Sequence, residues 1–168
     1  MKRFLILLTF CTFWQYSFAY DFSAVSPSGH TLFYNIVNGN AQVTFQSDGL
    51  GVPNYSSPFS GCLIIPDSVV CNGTTYMVTS IGYAAFRRCN ELTSVVIPNT
   101  VVSINDAAFQ RCSGITSISI PDSLTFIGSY AFNACSTLTS IVIPASITSI
   151  GQSTFRGCSS LTTPNTYW

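Results

Sequence analysis

Apolar residues in the second half of the chain return at a fixed interval of 23 positions. Phe86, Phe109, Phe132 and Phe155 make one column, Cys89, Cys112, Cys135 and Cys158 a second, and Ile81, Ile104, Ile127 and Ile150 a third; Leu92, Ile115, Leu138 and Leu161 make a fourth. One period shared by several apolar columns predicts stacked units, each unable to bury its own apolar face until a neighbour covers it. Within a unit, Leu92, Val95 and Ile97 read as the inward side of a short strand whose other side carries Thr93, Ser94 and Val96. Ile115, Ile118 and Ile120 repeat this, as do Leu138, Ile141 and Ile143. Pro98, Pro121 and Pro144 end the strands, where a missing N–H costs least. Ala85-Phe86-Arg87-Arg88-Cys89 and its copies are short enough for one helical or 3₁₀ turn. Gly82, Asn105, Gly128 and Gly151 share a column, which predicts a left-handed turn residue there.

Before Val78 the pattern changes. Leu32 to Val37, then Asn38-Gly39-Asn40, then Ala41 to Phe45 predict a β-hairpin, and Ser47 to Pro58 a loop. Residues 20–60 are expected to cap the first apolar face, since some forty residues rarely hold a core alone. The repeats are expected over 61–161, opening at Leu63-Ile64-Ile65-Pro66. Pro66 to Val78 is 12 steps where Pro98 to Val101 is 3, so the first unit carries nine extra residues, a second hairpin around Asn72-Gly73. Pro164 stands where the other units have Val95, Ile118 or Ile141, so residues 162–168 are a C-terminal end or a truncated repeat.

Lys2-Arg3, the apolar run from Phe4 to Leu8 and Ser17-Phe18-Ala19 mark 1–19 as a secretory signal peptide, and no stretch is long and apolar enough for a transmembrane span. Its removal leaves four Arg against six acids, a net charge near −2, and no lysine. Such a surface is poorly suited to nucleic acid, whose binding rests on many cationic contacts. Six cysteines remain. Four belong to the ladder, where they read as small buried plugs; equivalent side chains in a stack run parallel, whereas a disulfide requires them to converge.

The unit Ile-Pro-x-x-(Val/Leu/Ile)-x-x-Ile-(Gly/Asn)-x-x-Ala-Phe-x-x-Cys-x-x-Leu-x-x-Ile resembles the BspA-like leucine-rich repeat of secreted and surface proteins. The match is tight over 78–161, with Thr154 in place of Ala and Phe126 in place of Ser the main departures. The resemblance implies a leucine-rich-repeat solenoid, or horseshoe: mainly β, with short parallel strands, brief helical turns and an N-terminal β-hairpin cap. It also implies adhesion or host interaction as the role, at a secreted or cell-surface location.

Candidate chemistry is sparse. His30 is the only histidine, so a Ser or Cys nucleophile would have to rely on it, and an exposed loop residue is the plainer reading. No carboxylate pair, cofactor motif or glycine-rich phosphate loop is present. The four ladder thiols would lie in a line about 14 Å long, which no single zinc ion bridges. Cys62 and Cys71 are a candidate disulfide stapling the insert, with two unpaired thiols the alternative. The outward strand columns, Thr93, Ser94, Val96, Thr116, Ser117, Ser119, Thr139, Ser140 and Val142, form a candidate face for a protein or glycan ligand, or a plain solvated sheet. Arg87, Arg88, Arg111 and Arg156 fall in two adjacent columns, a candidate anionic-glycan edge or a set of solvated arginines. A binding or adhesion module without catalysis is the expected function. A structural scaffold is the alternative, and a thiol enzyme using Cys62 or Cys71 with His30 is the remote one.

Overall fold

The computed structural model describes residues 20–45 and 59–162. The leader expected at 1–19, the loop expected from Ser47 to Pro58 and the end from 163 lie outside them. Strands β1 (Phe22–Val25), β2 (Thr31–Val37) and β3 (Asn40–Thr44) are antiparallel neighbours. Asn38 and Gly39 make the β2–β3 turn, both with positive φ, as a two-residue hairpin requires. β4 (Ser60–Ile64) is followed by a second hairpin, β5 (Ser68–Cys71) and β6 (Thr74–Ile81), turning at Asn72-Gly73 in the same conformation. The remaining strands are short: β7 (Glu91–Val96), β8 (Ser103–Ile104), β9 (Ser117–Ser119), β10 (Phe126–Ile127) and β11 (Ser149–Ile150).

Two sheets gather these strands. In one, β4, β7 and β9 are parallel, and a bridge from Ser117 to Ser140 continues the series. In the other, β6, β8, β10 and β11 are parallel, and β3 pairs with β6 so that the antiparallel strands carry the same sheet outward. Ile81, Ile104, Ile127 and Ile150 stand in one row of this register, and Leu63, Val95 and Ile118 in one row of the first. Each 23-residue unit is thus one coil with two strands and two turns, and its neighbours repeat it in register. The inward rows make a single apolar core. Along its axis the phenylalanines stack with ring centroids 5.2, 5.4 and 5.6 Å apart and planes within 13° of parallel, and Phe59 meets the first ring edge-on at 5.5 Å. Phe155, Cys158 and Leu161, on the last coil, are only partly buried.

The segment after each sheet-forming Ile is neither helical nor 3₁₀, in contrast to the sequence expectation. It is a run of β-turns. Ala85, Arg87 and Cys89 donate their N–H groups to Gly82, Ala84 and Phe86, three residues back. Ala84, Phe86 and Arg88, the residues between them, donate instead to Asp106, Ala108 and Gln110 on the next coil at 2.8–3.1 Å. A helix would keep all these donors within the segment; here alternate ones are spent holding coil to coil. The pattern recurs from Ala107 to Arg111 and from Tyr130 to Ala134.

Such turns need positive φ at two points, and the structure places them at columns other than the Gly/Asn one. Ala84, Ala107, Tyr130 and Ser153 have φ of 52–59°, and Arg88, Arg111, Ala134 and Gly157 have φ of 59–81°. Gly82, Gly128 and Gly151 are not left-handed. They are small because the coils touch there: a Cβ on Gly128 would lie 2.6 Å from the Asn105 carbonyl carbon, and one on Gly151 the same distance from that of Gly128. Nothing in the structure explains why the second coil takes Asn105 in this column.

Tyr34 is fully buried against Phe22 with its hydroxyl unpartnered. Burial pushes its ionisation well above the usual tyrosine range. An unsatisfied buried hydroxyl lowers stability by about 1–3 kcal/mol, so Tyr34→Phe should leave the melting temperature unchanged or raise it; a clear fall in thermal denaturation would show that the hydroxyl has a partner. Ala134→Gly should stabilise the fold by about 1 kcal/mol, read as roughly 3 °C in the melting temperature, because glycine removes the Cβ penalty of a left-handed residue. Gly128→Ala should lower stability by about 2 kcal/mol or more, since backbone rather than a flexible side chain must give way.

Candidate binding surfaces

The outward side of β4, β7 and β9 carries the sequence-predicted face together. Thr93, Val96, Thr116, Ser117, Ser119, Thr139, Ser140 and Val142 are exposed and Ser94 is half-buried. Cys62, Ser94 and Ser117 share one row and Ile64, Val96 and Ser119 another. Val142, at 77 % exposure, is the most open of its large apolar residues. Part of the hydroxyl supply is committed to the stack. Thr116 Oγ1 donates to the Thr93 carbonyl at 3.2 Å and Thr139 Oγ1 to the Thr116 carbonyl at 3.1 Å, so those threonines hold their orientation for the coil beneath.

A second exposed surface escapes the strand-face reading. Val102, Phe126, Tyr83 and Tyr130 lie along the side formed by β6, β8, β10 and the start of the turn run, and all four are exposed. The signal available in the sequence was Phe126, which interrupts a column of Ser80, Ser103 and Ser149.

All four arginines among the described residues lie on the turn run. Arg88, Arg111 and Arg156 are exposed and Arg87 is half-buried. Backbone bonds of 2.8 Å from Arg88 to Gln110 and from Arg111 to Asn133 fix both arginines on successive coils. Beside them Gln110 Nε2 donates to Asn133 Oδ1, and Asn133 Nδ2 donates to the Arg156 carbonyl at 2.8 Å.

The thiols and the histidine are placed apart. Cys112, Cys135 and Cys158 each direct Sγ–H at a Phe carbonyl of the preceding coil, at 2.9, 3.2 and 3.1 Å. Burial pushes the Cys89 and Cys135 thiols up to about 12 and raises Cys112 as well, where ionised neighbours at Cys89 and Cys135 would add to the penalty. Cys62 is exposed on β4 and Cys71 ends β5, and both stand as free thiols in the structure.

His30 is not the exposed loop residue that the sequence suggested. It is half-buried, with Nδ1 2.9 Å from Ser28 Oγ and Nε2 3.0 Å from the Ser60 carbonyl. Ser28 Oγ also accepts the Ile64 N–H at 3.0 Å and lies 3.0 Å from Ser26 Oγ. These contacts cover the open edge of β4 with the β1–β2 loop. A Ser–His contact is half of a nucleophile pair, but this hydroxyl is held by a sheet edge and the imidazole by a carbonyl, with neither Cys62 nor Cys71 among their partners. Among the described residues no three His, Cys, Asp or Glu side chains gather as a metal set, and no helix is long and apolar enough to cross a membrane.

A repeat with this register, with apolar inward columns and mainly hydroxyl-bearing outward ones, defines a leucine-rich repeat protein. The family model described as BspA type leucine rich repeat region matches residues 79–166 in six copies, and the chain belongs to that family. No curated protein matches it. Among solved structures it is similar to a leucine-rich repeat protein of Bacteroides ovatus, with 37 % identity and a TM-score of 0.64 over 75 % of this chain and 31 % of that one. A leucine-rich repeat protein of Bacteroides capillosus is 29 % identical, TM-score 0.62, over 79 % of this chain and 91 % of that one. A leucine rich cell surface protein of Faecalibacterium prausnitzii is 25 % identical, TM-score 0.59, over 84 % and 41 %. The chain therefore spans about a third of the length of the B. ovatus protein.

Thiol reagents at neutral pH should label Cys62 first and Cys89, Cys112 and Cys135 only on unfolding; peptide mapping that finds the ladder labelled in the folded protein would refute the buried-plug assignment. The pH dependence has a definite sign. A thiol whose ionisation is raised by folding contributes stability that is fully present below its ordinary value of 9.0 and is lost as the pH rises toward about 12. The melting temperature should therefore fall between pH 9 and 12, and less steeply in Cys89→Ala than in the wild type.

Proposed function

We propose that the chain is a secreted or cell-surface leucine-rich repeat protein that binds a protein or glycan, in adhesion or cell–cell contact, through the outward face of β4, β7 and β9. The observation that carries this reading is the division of labour within the repeat. The Phe, Cys and Ile columns face the core, while a threonine column (Thr93, Thr116, Thr139) and a serine column (Ser94, Ser117, Ser140) recur on the outer side of a sheet on which Val96 and Val142 stand exposed among them. In the same reading the stack is a solenoid, and strands β1 to β3 with the His30 loop cap its first apolar face, covering the sheet edge that would otherwise template aggregation. The leader expected at 1–19 and the cell-surface description of the F. prausnitzii protein support the location.

A structural scaffold is the second reading, favoured by the threonine hydroxyls that serve the stack rather than a ligand. The two separate on one measurement. The folded chain should bind host cells, matrix proteins or arrayed glycans saturably, and Val142→Asp should weaken that binding about fivefold or more without lowering the melting temperature. Absence of saturable binding would leave the scaffold; binding untouched by Val142→Asp would move the contact off this face.

A further inference from the structure

We propose a second binding site, on the turn run, that takes an acidic polysaccharide through Arg88, Arg111 and Arg156 with Arg87 beside them. The first observation is segregation. After the leader the chain has four basic side chains, and all four occupy two adjacent columns of the repeat, eight positions in all. The acids lie mostly elsewhere. Asp67 and Asp122 sit in the proline turns between the sheets, and Asp21 Oδ2 accepts the Ile36 N–H on the antiparallel strands. Glu91 borders the turn run and Asp106 lies at its start on the second coil, where its Oδ1 is engaged by the Ser129 N–H at 2.7 Å. One side of the coil therefore gathers all four arginines of a stretch, residues 20–168, that carries six acids.

The second observation is spacing. Arg88 and Arg111 occupy the same position on successive coils, whose phenylalanines are 5.2 Å apart, and Arg156 stands three coils beyond Arg87. Like charges held this close repel, and an anion lying across them removes the repulsion. A row of cations along the stack axis matches a linear chain with repeated anionic groups better than a single small anion. Guanidinium remains charged throughout the accessible pH range and grips sulfate or carboxylate with two parallel hydrogen bonds. Gln110, Asn133, Asn90 and Ser113 line the same columns and their neighbours with groups that can meet sugar hydroxyls. Nucleic acid fits less well. Columns 87 to 91 and their copies carry no aromatic residue on which a base could stack, and four arginines without lysine are few for a phosphate backbone.

The turn run is a different side of the coil from the β4–β7–β9 face, so the two sites stand or fall separately. The test is retention of the folded chain on immobilised heparin, which is sulfated, and on polygalacturonate, which is carboxylated, with single-stranded DNA alongside. At least one polysaccharide should bind at 50 mM salt and lose about tenfold in affinity by 200 mM. Arg88→Gly/Arg111→Gly should abolish about nine-tenths of the affinity without lowering the melting temperature, because both positions have φ above 60° and glycine is at home there. Arg88→Asn/Arg111→Asn, uncharged but tolerant of a left-handed φ, should lose a similar share of the affinity, and this variant decides if the glycine variant proves unstable. Val142→Asp should leave retention unchanged; a loss there would place the polymer on the sheet face and overturn the assignment. No retention by the wild type, unchanged retention in the glycine variant, or tighter binding to DNA than to either polysaccharide would each overturn it as well.

Discussion

Everything in this protein depends on backbone hydrogen bonds that run between coils. On the turn run alternate N–H groups point forward to the next coil, while beside the sheets others point back, as from Asn105 to Ile81 and from Thr116 to Thr93. A buried backbone donor without an acceptor is expensive, so each coil must present its carbonyls at the height and spacing its neighbour needs. That requirement fixes the repeat at 23 residues. Insertions are tolerated only where they form their own hydrogen-bonded unit, as the β5–β6 hairpin does.

The side-chain ladders follow from that register. Once coils repeat in step, equivalent residues lie one above another, and residue types that profit from such stacking fill the recurring columns. Phenylalanine gains an offset ring stack, and threonine and cysteine gain a carbonyl acceptor on the previous coil. Glycine permits the coils to touch. Thr154 shows that the rule concerns chemistry rather than identity. It replaces an alanine, and its buried hydroxyl is satisfied by the Gly128 and Gly151 carbonyls at 3.1 and 2.8 Å. Cysteine's place here is structural, and the cost is a thiol that burial keeps protonated.

The same register separates stability from recognition. Positions that hold the stack recur, the exposed threonine column among them, and other outward rows and turn columns change. Ser119 thus differs from Val96 and Val142, and Phe126 from Ser80, Ser103 and Ser149, while Phe109 and Ile127 match their equivalents. A surface built this way is modular: one coil's outward side chains can change without disturbing the next coil's hydrogen bonds.

Much of this was legible in the residues. The period, the inward columns, the strand residues and the two Asn-Gly turns could be read directly, because apolar side chains spaced at 23 can be buried together in only one kind of stack. Three features could not. The glycine column signalled a small residue, but whether smallness served a left-handed φ or a close approach depended on the distance between coils. The turn run had the length of a helical turn, and only the neighbouring carbonyls decided that its donors would alternate between two coils. His30 sat in a polar loop beside Ser26 and Ser28, and its contacts with Ser60 and, through Ser28, with Ile64 lie thirty or more residues away. The sequence by itself determined the repeat and the identity of its core, since burial of apolar surface is written in the pattern of side chains. Only the tertiary structure decided where the backbone bends left-handed and which edge the histidine closes, because those depend on backbone groups that every residue shares.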